Sequence, residues 1–219
     1  MTNEEYIQFL EKKGENYVWQ FTKQEVDFDK IFLATKLFNE WKNSETEMSP
    51  ETFFSQQHSK YGITDRHRTL IIAQLYGLIT KNNSTYVKEC VTPVFEKLSR
   101  SVDSETYKKI VTEQLLKIKL PALTYSRVSG ASDVRHIFPI IFTYQVLKSL
   151  KSVGIKNISI DEFYTYVMTA NFHSDLERVV QFLTQPIKPI IGDSLLRLYK
   201  DRSRIVPVSY THLRAHETL

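Results

Sequence analysis

Arg66 and Gln74 are the residues of this chain whose types and spacing best support specific chemistry. A guanidinium group can donate two parallel hydrogen bonds to guanine in the major groove of DNA, and a carboxamide can pair similarly with adenine. Both residues fall on one side of a predicted helix, together with Thr69 and Ala73. We therefore predict that this side of the helix reads base edges. The alternative is a solvated arginine and a glutamine that simply favours the helix, and the sequence supports both interpretations about equally.

Basic and amide side chains around this helix are predicted to hold the DNA backbone. Lys60 precedes the helix, and Lys81, Asn82 and Asn83 follow it in a predicted turn, where phosphate contacts would set the register without reading sequence. A solvated surface is the alternative for each. The complete set of predicted DNA-binding residues is Lys60, Arg66, His67, Arg68, Thr69, Gln74, Lys81, Asn82, Asn83, Arg127 and Arg135.

Some members of this set have a competing structural interpretation. His67 could contact a phosphate, but a histidine near a helix start is also commonly a partly buried hydrogen-bonding residue. Arg68 falls on the apolar side of the same helix. Arg127 and Arg135 flank a loop that contains serine and glycine, and they could form a second contact surface. Arg135 also lies just before Pro139, where a structural role at a helix start is the alternative.

The segment that must position these side chains has the order turn, helix, hairpin. Thr64 or Asp65 can cap a helix over residues 66–76, and Gly77 suits the C-terminal turn of that helix. Two β-prone stretches, residues 78–80 and 85–87, then flank an asparagine-rich turn. Thr92 and Pro93 are then predicted to open a further helix, with threonine as its cap and proline at its first position. With the helices predicted over residues 29–41 and 50–57, this order is that of a winged helix, which presents one helix to a DNA groove.

The second half of the chain is predicted to be helical. A helix over residues 104–119 ends before Pro121, and an apolar helix runs from Pro139 to Gly154. Two capping boxes are predicted to open further helices at residues 159–162 and 174–177. The predicted fold class is therefore mainly α with small β-hairpins, a winged-helix (helix-turn-helix) subdomain followed by a helical subdomain. The predicted divisions are an N-terminal segment (1–27), the winged helix (28–100) and the helical subdomain (101–206).

Composition favours a folded protein of the cytoplasm. Among 219 residues, 42% are hydrophobic and 12% aromatic, and the net charge is +4. This mildly basic balance is compatible with nucleic acid, although many solvated surfaces share it. Cys90 is the only cysteine, so no internal disulfide can form. We see no leader-like N-terminus and no apolar run near the roughly 20 residues that span a bilayer, so we predict no membrane association.

The last residues match a translated sequencing adapter. Residues 208–218 read as one frame of a transposase-type adapter, so we expect residues 207–219 to be an artefact and the natural chain to be truncated near Val206. His212, His216 and Glu217 have a spacing that would otherwise suggest a metal site. We reject that interpretation and predict no metal ligands.

Several short strings recur in the same order in one group of proteins. They are residues 65–69, 77–79, 116–121, 135–139 and 158–167. On these strings the chain resembles the N-terminal DNA-recognition domain of type IIS restriction endonucleases, BpuJI-like and more loosely AlwI-like. The resemblance covers roughly residues 28–183. It implies a recognition region built of winged-helix subdomains, with a Mg²⁺-dependent nuclease domain further downstream.

The nuclease part of that plan is not identifiable in this sequence. Glu11, Lys12 and Lys13 have the spacing of a nuclease motif, but they lie in a predicted helix with no acidic partner upstream, and Asp193 is followed by no matching motif. We therefore predict no catalytic residues and no cofactor here, with Mg²⁺ expected only for the missing nuclease domain. The resemblance implies double-stranded DNA as the partner and leaves room for a homodimer formed through that missing domain.

Two other functions fit the same residues. One is a winged-helix transcriptional regulator that has no nuclease. The other is a helical protein–protein interaction module, in which the face that carries Arg66 meets an acidic partner.

Overall fold

The computed structural model describes residues 1–19, 28–44, 47–49, 52–53, 55–57, 73–80, 90–120 and 136–203. Within these ranges the protein is mainly helical, as the sequence predicts. The elements in chain order are α1 (Asn3–Lys13), a 3-10 turn (Gly14–Tyr17), α2 (Phe28–Asn43), β1 (Ile79–Thr80), β2 (Cys90–Val91), α3 (Pro93–Arg100), α4 (Ser104–Leu116), α5 (Pro139–Ser152), α6 (Ile160–Glu162), a π-helical turn (Phe163–Val167), a second 3-10 turn (His173–Asp175), α7 (Leu176–Thr184) and α8 (Asp193–Ser203).

The chain forms two compact units. The central unit is Gln24–Leu115, and the terminal unit combines Met1–Lys23 with Leu116–Leu219. The N-terminal helix therefore belongs to the same unit as the C-terminal helices. Its place there follows from burial, because Tyr6 is 2% exposed and its hydroxyl donates a hydrogen bond to Thr169 Oγ1 at 2.8 Å.

The core of the central unit is built on the apolar stripe of α2. Ile31, Ala34 and Phe38 are fully buried, at the three- and four-residue spacing that places side chains on one helix face. They form one cluster with Leu37 of the same helix and with residues of the helical turn before Gly77, of β1 and its approach, and of α3, namely Ala73, Leu78, Ile79, Phe95 and Leu98. The predicted amphipathic helix over 29–41 is thus confirmed within α2.

A short antiparallel ladder follows this core. Ile79 pairs with Val91 and Thr80 pairs with Cys90. The partner of β1 within the described residues is therefore β2, whereas the predicted second strand, residues 85–87, lies outside them. Directly after β2, Thr92 Oγ1 accepts a hydrogen bond from the amide of Phe95, and Pro93 occupies the first turn of α3. This is the helix start that Thr92 and Pro93 predict.

The terminal unit is held together by hydrogen bonds that link distant parts of the chain. The indole of Trp19 donates to the carbonyl of Ala170 at 2.6 Å, and the Trp19 amide donates to Met168. Leu120 forms an antiparallel bridge with Ile137 just before α5. The helix predicted over 104–119 accordingly ends at Leu116, because the chain extends to make this bridge.

The two predicted capping boxes have different outcomes. In the first, Ser159 Oγ accepts from the amide of Glu162, and the Glu162 carboxylate accepts from the amide of Ser159. The second, at residues 174–177, is wrong, since a 3-10 turn takes Ser174 into its interior. Asp175 instead accepts from the amides of Asn171 and Phe172 with its side chain.

A membrane span would need a long apolar helix. None of the helices in the described ranges has both the length and the apolarity to cross a lipid bilayer.

Candidate nucleic-acid interface

Of the eleven predicted DNA-binding residues, Gln74 is the one that the structure describes. The other ten lie outside the described residues, and their roles stay predictions. They are Lys60, Arg66, His67, Arg68, Thr69, Lys81, Asn82, Asn83, Arg127 and Arg135.

Gln74 is half-buried at the C-terminal end of the predicted reading helix, where residues 73–75 are helical. Its neighbour Ala73 is fully buried in the core of the central unit. The expectation that Ala73 lies on the polar, base-facing side is therefore wrong. The cause is the turn that follows: the chain folds back so that the Leu78 amide donates to the Ala73 carbonyl at 2.8 Å, and both side chains enter the core.

Gly77 ends this helix with a positive φ of 68°. Its amide donates to the carbonyl of Gln74 at 2.9 Å, so the turn combines this bond with the longer one from Leu78 to Ala73. This is the Schellman arrangement, in which a left-handed residue satisfies the last carbonyls of a helix. The prediction that the helix stops at Gly77 is confirmed.

Gln114 of α4 makes glycine necessary at this turn for a second reason. A Cβ atom at residue 77 would lie 3.2 Å from Gln114 Oε1, closer than ordinary van der Waals contact. The Gln114 side chain is itself buried, at 7% exposure. Backbone conformation and packing therefore both favour glycine at the end of the candidate reading helix.

Thr92 fixes the direction in which the chain leaves that helix. Its hydroxyl donates to the carbonyl of Gly77 at 2.6 Å, while the same oxygen caps α3 by accepting from Phe95. The Thr92 amide also donates to the carbonyl of Leu78. Sequence reasoning identified Thr92 only as a helix cap. Its role in positioning Gly77 depends on a contact fifteen residues away, which no local pattern reveals.

Tyr76 lies between Gln74 and Gly77 and is half-buried. Its ring contacts that of Phe28 edge-to-face, with centroids 5.2 Å apart. Burial raises the pKa of the Tyr76 phenol above its ordinary value. The hydroxyl is therefore protonated at neutral pH, and it is a hydrogen-bond donor that the sequence analysis did not identify.

The central unit also has a cavity of about 300 Å³ between α2 and the joint of α3 and α4. It is lined by Phe32, Lys36, Leu98, Ser99, Ser101 and Tyr107. Two of its hydroxyls already serve the fold, since Ser101 donates to the carbonyl of Leu98 and Tyr107 donates to Asp29. The cavity is thus an amphipathic groove with one exposed ammonium group, that of Lys36.

In the terminal unit, His173 connects the second 3-10 turn to α5. Its Nε2 atom accepts from the amide of Phe138, at the start of α5, at 3.1 Å, and its Nδ1 atom lies 3.2 Å from Gln145 Oε1. A ring nitrogen that accepts carries no proton, so the imidazole is neutral and donates through Nδ1 to Gln145. His173 is therefore a positioning residue for α5, and neither its spacing nor its neighbours in the sequence predicted this.

Arg178 is a largely enclosed cation of the terminal unit, with 25% of its side chain exposed. Its guanidinium lies 3.2 Å from the Asp175 carboxylate and 4.7 Å from the centroid of the Tyr6 ring. The Nη1 atom is buried with no hydrogen-bond partner among the described residues. Tyr6 is part of the core, and Asp175 lies at its edge. The contacts of Arg178 are therefore contacts within the fold.

A metal centre would need several ligating side chains close together. Within the described ranges, no group of three or more His, Cys, Asp or Glu residues is placed to hold a metal ion.

The chain matches no protein-family model, and it has no significant match among curated proteins.

Proposed function

We propose that this protein recognises a specific sequence in double-stranded DNA, as the recognition part of a type IIS-like restriction endonuclease. The helix that ends at Gly77 would enter the major groove. Residues 81–84 would contact the adjacent phosphates in the manner of a wing. Cleavage would belong to a separate Mg²⁺-dependent nuclease domain.

The observation that carries this proposal is the construction of the helix end. Gly77 closes the helix and Leu78 carries the chain into β1, which pairs with β2. Thr92 then bonds back to Gly77 and starts α3. A helix, a tight turn, a short ladder and a further helix are thus linked by main-chain hydrogen bonds and by the Thr92 hydroxyl, and this order matches part of the one expected for a winged-helix subdomain.

The exposure of the residues supports the same proposal. Ala73 and Leu78 face the core, while Gln74 is half-buried and retains accessible surface. On a helix the face opposite the core is the one that a groove can admit. The sequence analysis predicts Arg66 and Thr69 on that face, although the same periodicity groups them with Ala73, which is buried. The net charge of +4 is compatible with a polyanionic partner.

Selection from a randomised duplex pool tests the proposal. The protein should retain one short motif at moderate salt, and an asymmetric motif is expected for a type IIS enzyme. Recovery of a palindrome would favour a dimeric transcriptional regulator. A folded sample that binds no duplex at low salt would contradict DNA recognition and favour the interaction module.

Arg66→Ala then tests the assignment of the reading helix. If Arg66 makes a bidentate contact to guanine, the substitution should weaken binding to the selected motif by about 1–3 kcal/mol and relax specificity at one position. Arg100→Ala is the matched control, because Arg100 is an exposed arginine of the same unit, paired with Glu96 at the end of α3. Unchanged affinity and selectivity in Arg66→Ala would remove this residue from the interface.

Gln74→Ala provides a second test at a described position. An amide that pairs with adenine should confer a preference at one base, and the alanine variant should lose it. Gln8→Ala on α1 is the matched control, since Gln8 is an exposed helical glutamine in the terminal unit. Retention of the full base preference by Gln74→Ala would mean that Gln74 supports the helix and does not read DNA.

A further inference from the structure

The solvent-facing side of α5 is an aromatic and basic stripe. Tyr144, Lys148 and Lys151 are all exposed and follow one another at four- and three-residue spacing, which places them on one helix face. Tyr144 is 60% exposed. We call these three residues the α5 face. The opposite side of the helix packs into the core of the terminal unit through its buried residues Phe142, Val146 and Leu150.

The ion pairs of the terminal unit within the described ranges do not involve the two lysines of the α5 face. Among the described residues, no carboxylate lies within ion-pair distance of Lys148 or Lys151. Three carboxylates of the same unit are already paired with other cations: Asp161 with Lys200 at 2.7 Å, Glu162 with Lys188 at 2.8 Å and Asp175 with Arg178 at 3.2 Å. Moreover, the sequence from 134 to 160 contains no Asp or Glu.

The helix dipole accounts for only part of this pattern. A lysine in the last turn of a helix is favourable because it faces the partial negative charge of the terminal carbonyls. Lys151 lies in that turn, but the carbonyls of Leu150 and Lys151 already accept hydrogen bonds from the amides of Val153, Gly154 and Ile155. Lys148 and Tyr144 lie farther from the helix end, where the dipole effect has fallen off. The dipole therefore does not account for a stripe that includes these two residues.

The α5 face is also held in place before any partner arrives. The start of the helix is fixed by the hydrogen bond from the Phe138 amide to His173, and its middle by the bond between Gln145 and His173. A binding surface on a fixed helix loses little backbone entropy when it binds. Such a surface suits a partner with a regular array of charges.

We propose that the α5 face binds the phosphate backbone of double-stranded DNA as a second, sequence-independent contact surface. Lys148 and Lys151 would each neutralise a phosphate, and the Tyr144 hydroxyl would donate a hydrogen bond to a phosphate oxygen. This proposal rests on the proposed function, because it takes the same partner. It differs in assigning to the terminal unit affinity without base preference.

Salt dependence tests the α5 face directly. The logarithm of the binding constant for duplex DNA falls with the logarithm of salt concentration by about 0.9 for each phosphate neutralised. In the variant Lys148→Gln/Lys151→Gln, the slope should therefore decrease in magnitude by about 1.8. Between about 50 and 200 mM salt, the unsubstituted protein should lose roughly tenfold more affinity than the variant. The preferred motif should stay the same.

Two further variants control for charge and for folding. Lys108→Gln/Lys109→Gln removes the same charge from exposed positions of α4 and should leave the slope nearly unchanged. Lys148→Arg/Lys151→Arg keeps both charges and should retain the original slope, which separates the loss of charge from the loss of lysine itself. An unchanged slope in Lys148→Gln/Lys151→Gln, or an equal loss in the α4 variant, would overturn the proposal.

The outcomes separate this inference from the proposed function. Selection of a motif by the unsubstituted protein, together with an unchanged slope in the α5 variant, would leave DNA recognition standing and remove the α5 face. A changed motif with an unchanged slope would also contradict a backbone contact. Absence of any duplex binding at low salt would contradict both.

Discussion

Two glycines end helices in the two units with the same backbone geometry and different surroundings. Gly77 in the central unit has φ 68°, and Gly154 in the terminal unit has φ 85°. Each donates its amide to the carbonyl three residues earlier, and the residue after each glycine donates to the carbonyl five residues earlier. However, a Cβ at 77 would meet Gln114 at 3.2 Å, whereas a Cβ at 154 would meet nothing within 4 Å.

This comparison separates local from tertiary constraint. The left-handed conformation at both sites follows from the helix ending there, and glycine adopts it without steric cost. The additional restriction at Gly77 comes from α4, which is distant in the sequence. The end of the candidate reading helix is therefore more tightly specified than the end of α5.

The largest expected difference is between alanine substitutions at the two glycines. Gly154→Ala should lower the free energy of unfolding by about 1–2 kcal/mol, the cost of a left-handed alanine. Gly77→Ala should cost about 2–3 kcal/mol, because the methyl group also displaces Gln114. Urea denaturation followed by fluorescence can report the units separately, since Trp19 belongs to the terminal unit and Trp41 to the central unit.

A double-mutant cycle sharpens this result. Variants of the central unit are measured with Trp19→Phe, so that the fluorescence of Trp41 reports on that unit alone. Variants of the terminal unit are measured with Trp41→Phe, so that Trp19 is the reporter. Gln114→Ala combined with Gly77→Ala should recover the part of the loss that comes from the close contact. Equal losses at Gly77 and Gly154, or no coupling to Gln114, would show that tertiary packing adds nothing at Gly77.

A smaller difference is expected between two helix caps. Ser159→Ala removes one cap acceptor from α6 and should cost the terminal unit about 1 kcal/mol. Thr92→Val removes a cap acceptor and also the hydrogen bond to Gly77, so it should cost the central unit about 1–2 kcal/mol. Thr92→Ser keeps the hydroxyl and is the control. If Thr92→Val and Ser159→Ala cost the same, the bond to Gly77 contributes no measurable stability.

The smallest predicted difference between the units at neutral pH is the contribution of buried tyrosines to stability, which becomes visible only at alkaline pH. Burial, with Glu162 and Glu4 nearby, raises the pKa of Tyr166 from 10.0 to about 12, and burial also raises the pKa of Tyr6. A raised folded-state pKa means that the stability is complete below pH 10 and is lost as the pH approaches 12. In the central unit, burial also raises the pKa of Tyr76, so among the described residues one such tyrosine lies there and two lie in the terminal unit.

Alkaline denaturation followed at Trp19 should therefore show a steeper loss than denaturation followed at Trp41. Tyr166→Phe should reduce the dependence on pH between 10 and 12, although it also removes the hydrogen bond to the Pro189 carbonyl and should lower stability at all pH values. A pH profile of Tyr166→Phe with the original slope would exclude Tyr166 as a source of the alkaline sensitivity.

The sequence was informative where a structure depends on a few adjacent residues. Thr92 with Pro93, Ser159 with Glu162, and the glycines at 77 and 154 all mark helix ends that the structure confirms. Each involves a side chain and amides within one helical turn, so the pattern carries the whole interaction. The second capping box failed because a 3-10 turn precedes α7 there, and Asp175 binds the amides of Asn171 and Phe172, which lie before that turn.

In the candidate site and in the terminal unit, several contacts could not be predicted from local sequence. Periodicity put Ala73 on the same face as Gln74, but the hydrogen bond from Leu78 and the packing of α2 bury it. The positioning roles of Thr92 and His173 depend on partners fifteen and thirty-five residues away. No spacing rule reaches so far, because such contacts exist only once the helices have packed.

The sequence by itself determined that the chain is mainly helical and where several helices end, while its DNA-binding residues stay predictions. The spacing of hydrophobic residues and the capping of helix ends depend on residues within one or two helical turns, so the local sequence is enough to predict them. Tertiary structure alone decided that α1 belongs with the C-terminal helices, that β1 pairs with β2, and that the α5 face is left open to solvent. These features follow from burial of apolar surface between distant segments, a non-directional effect that local sequence does not encode.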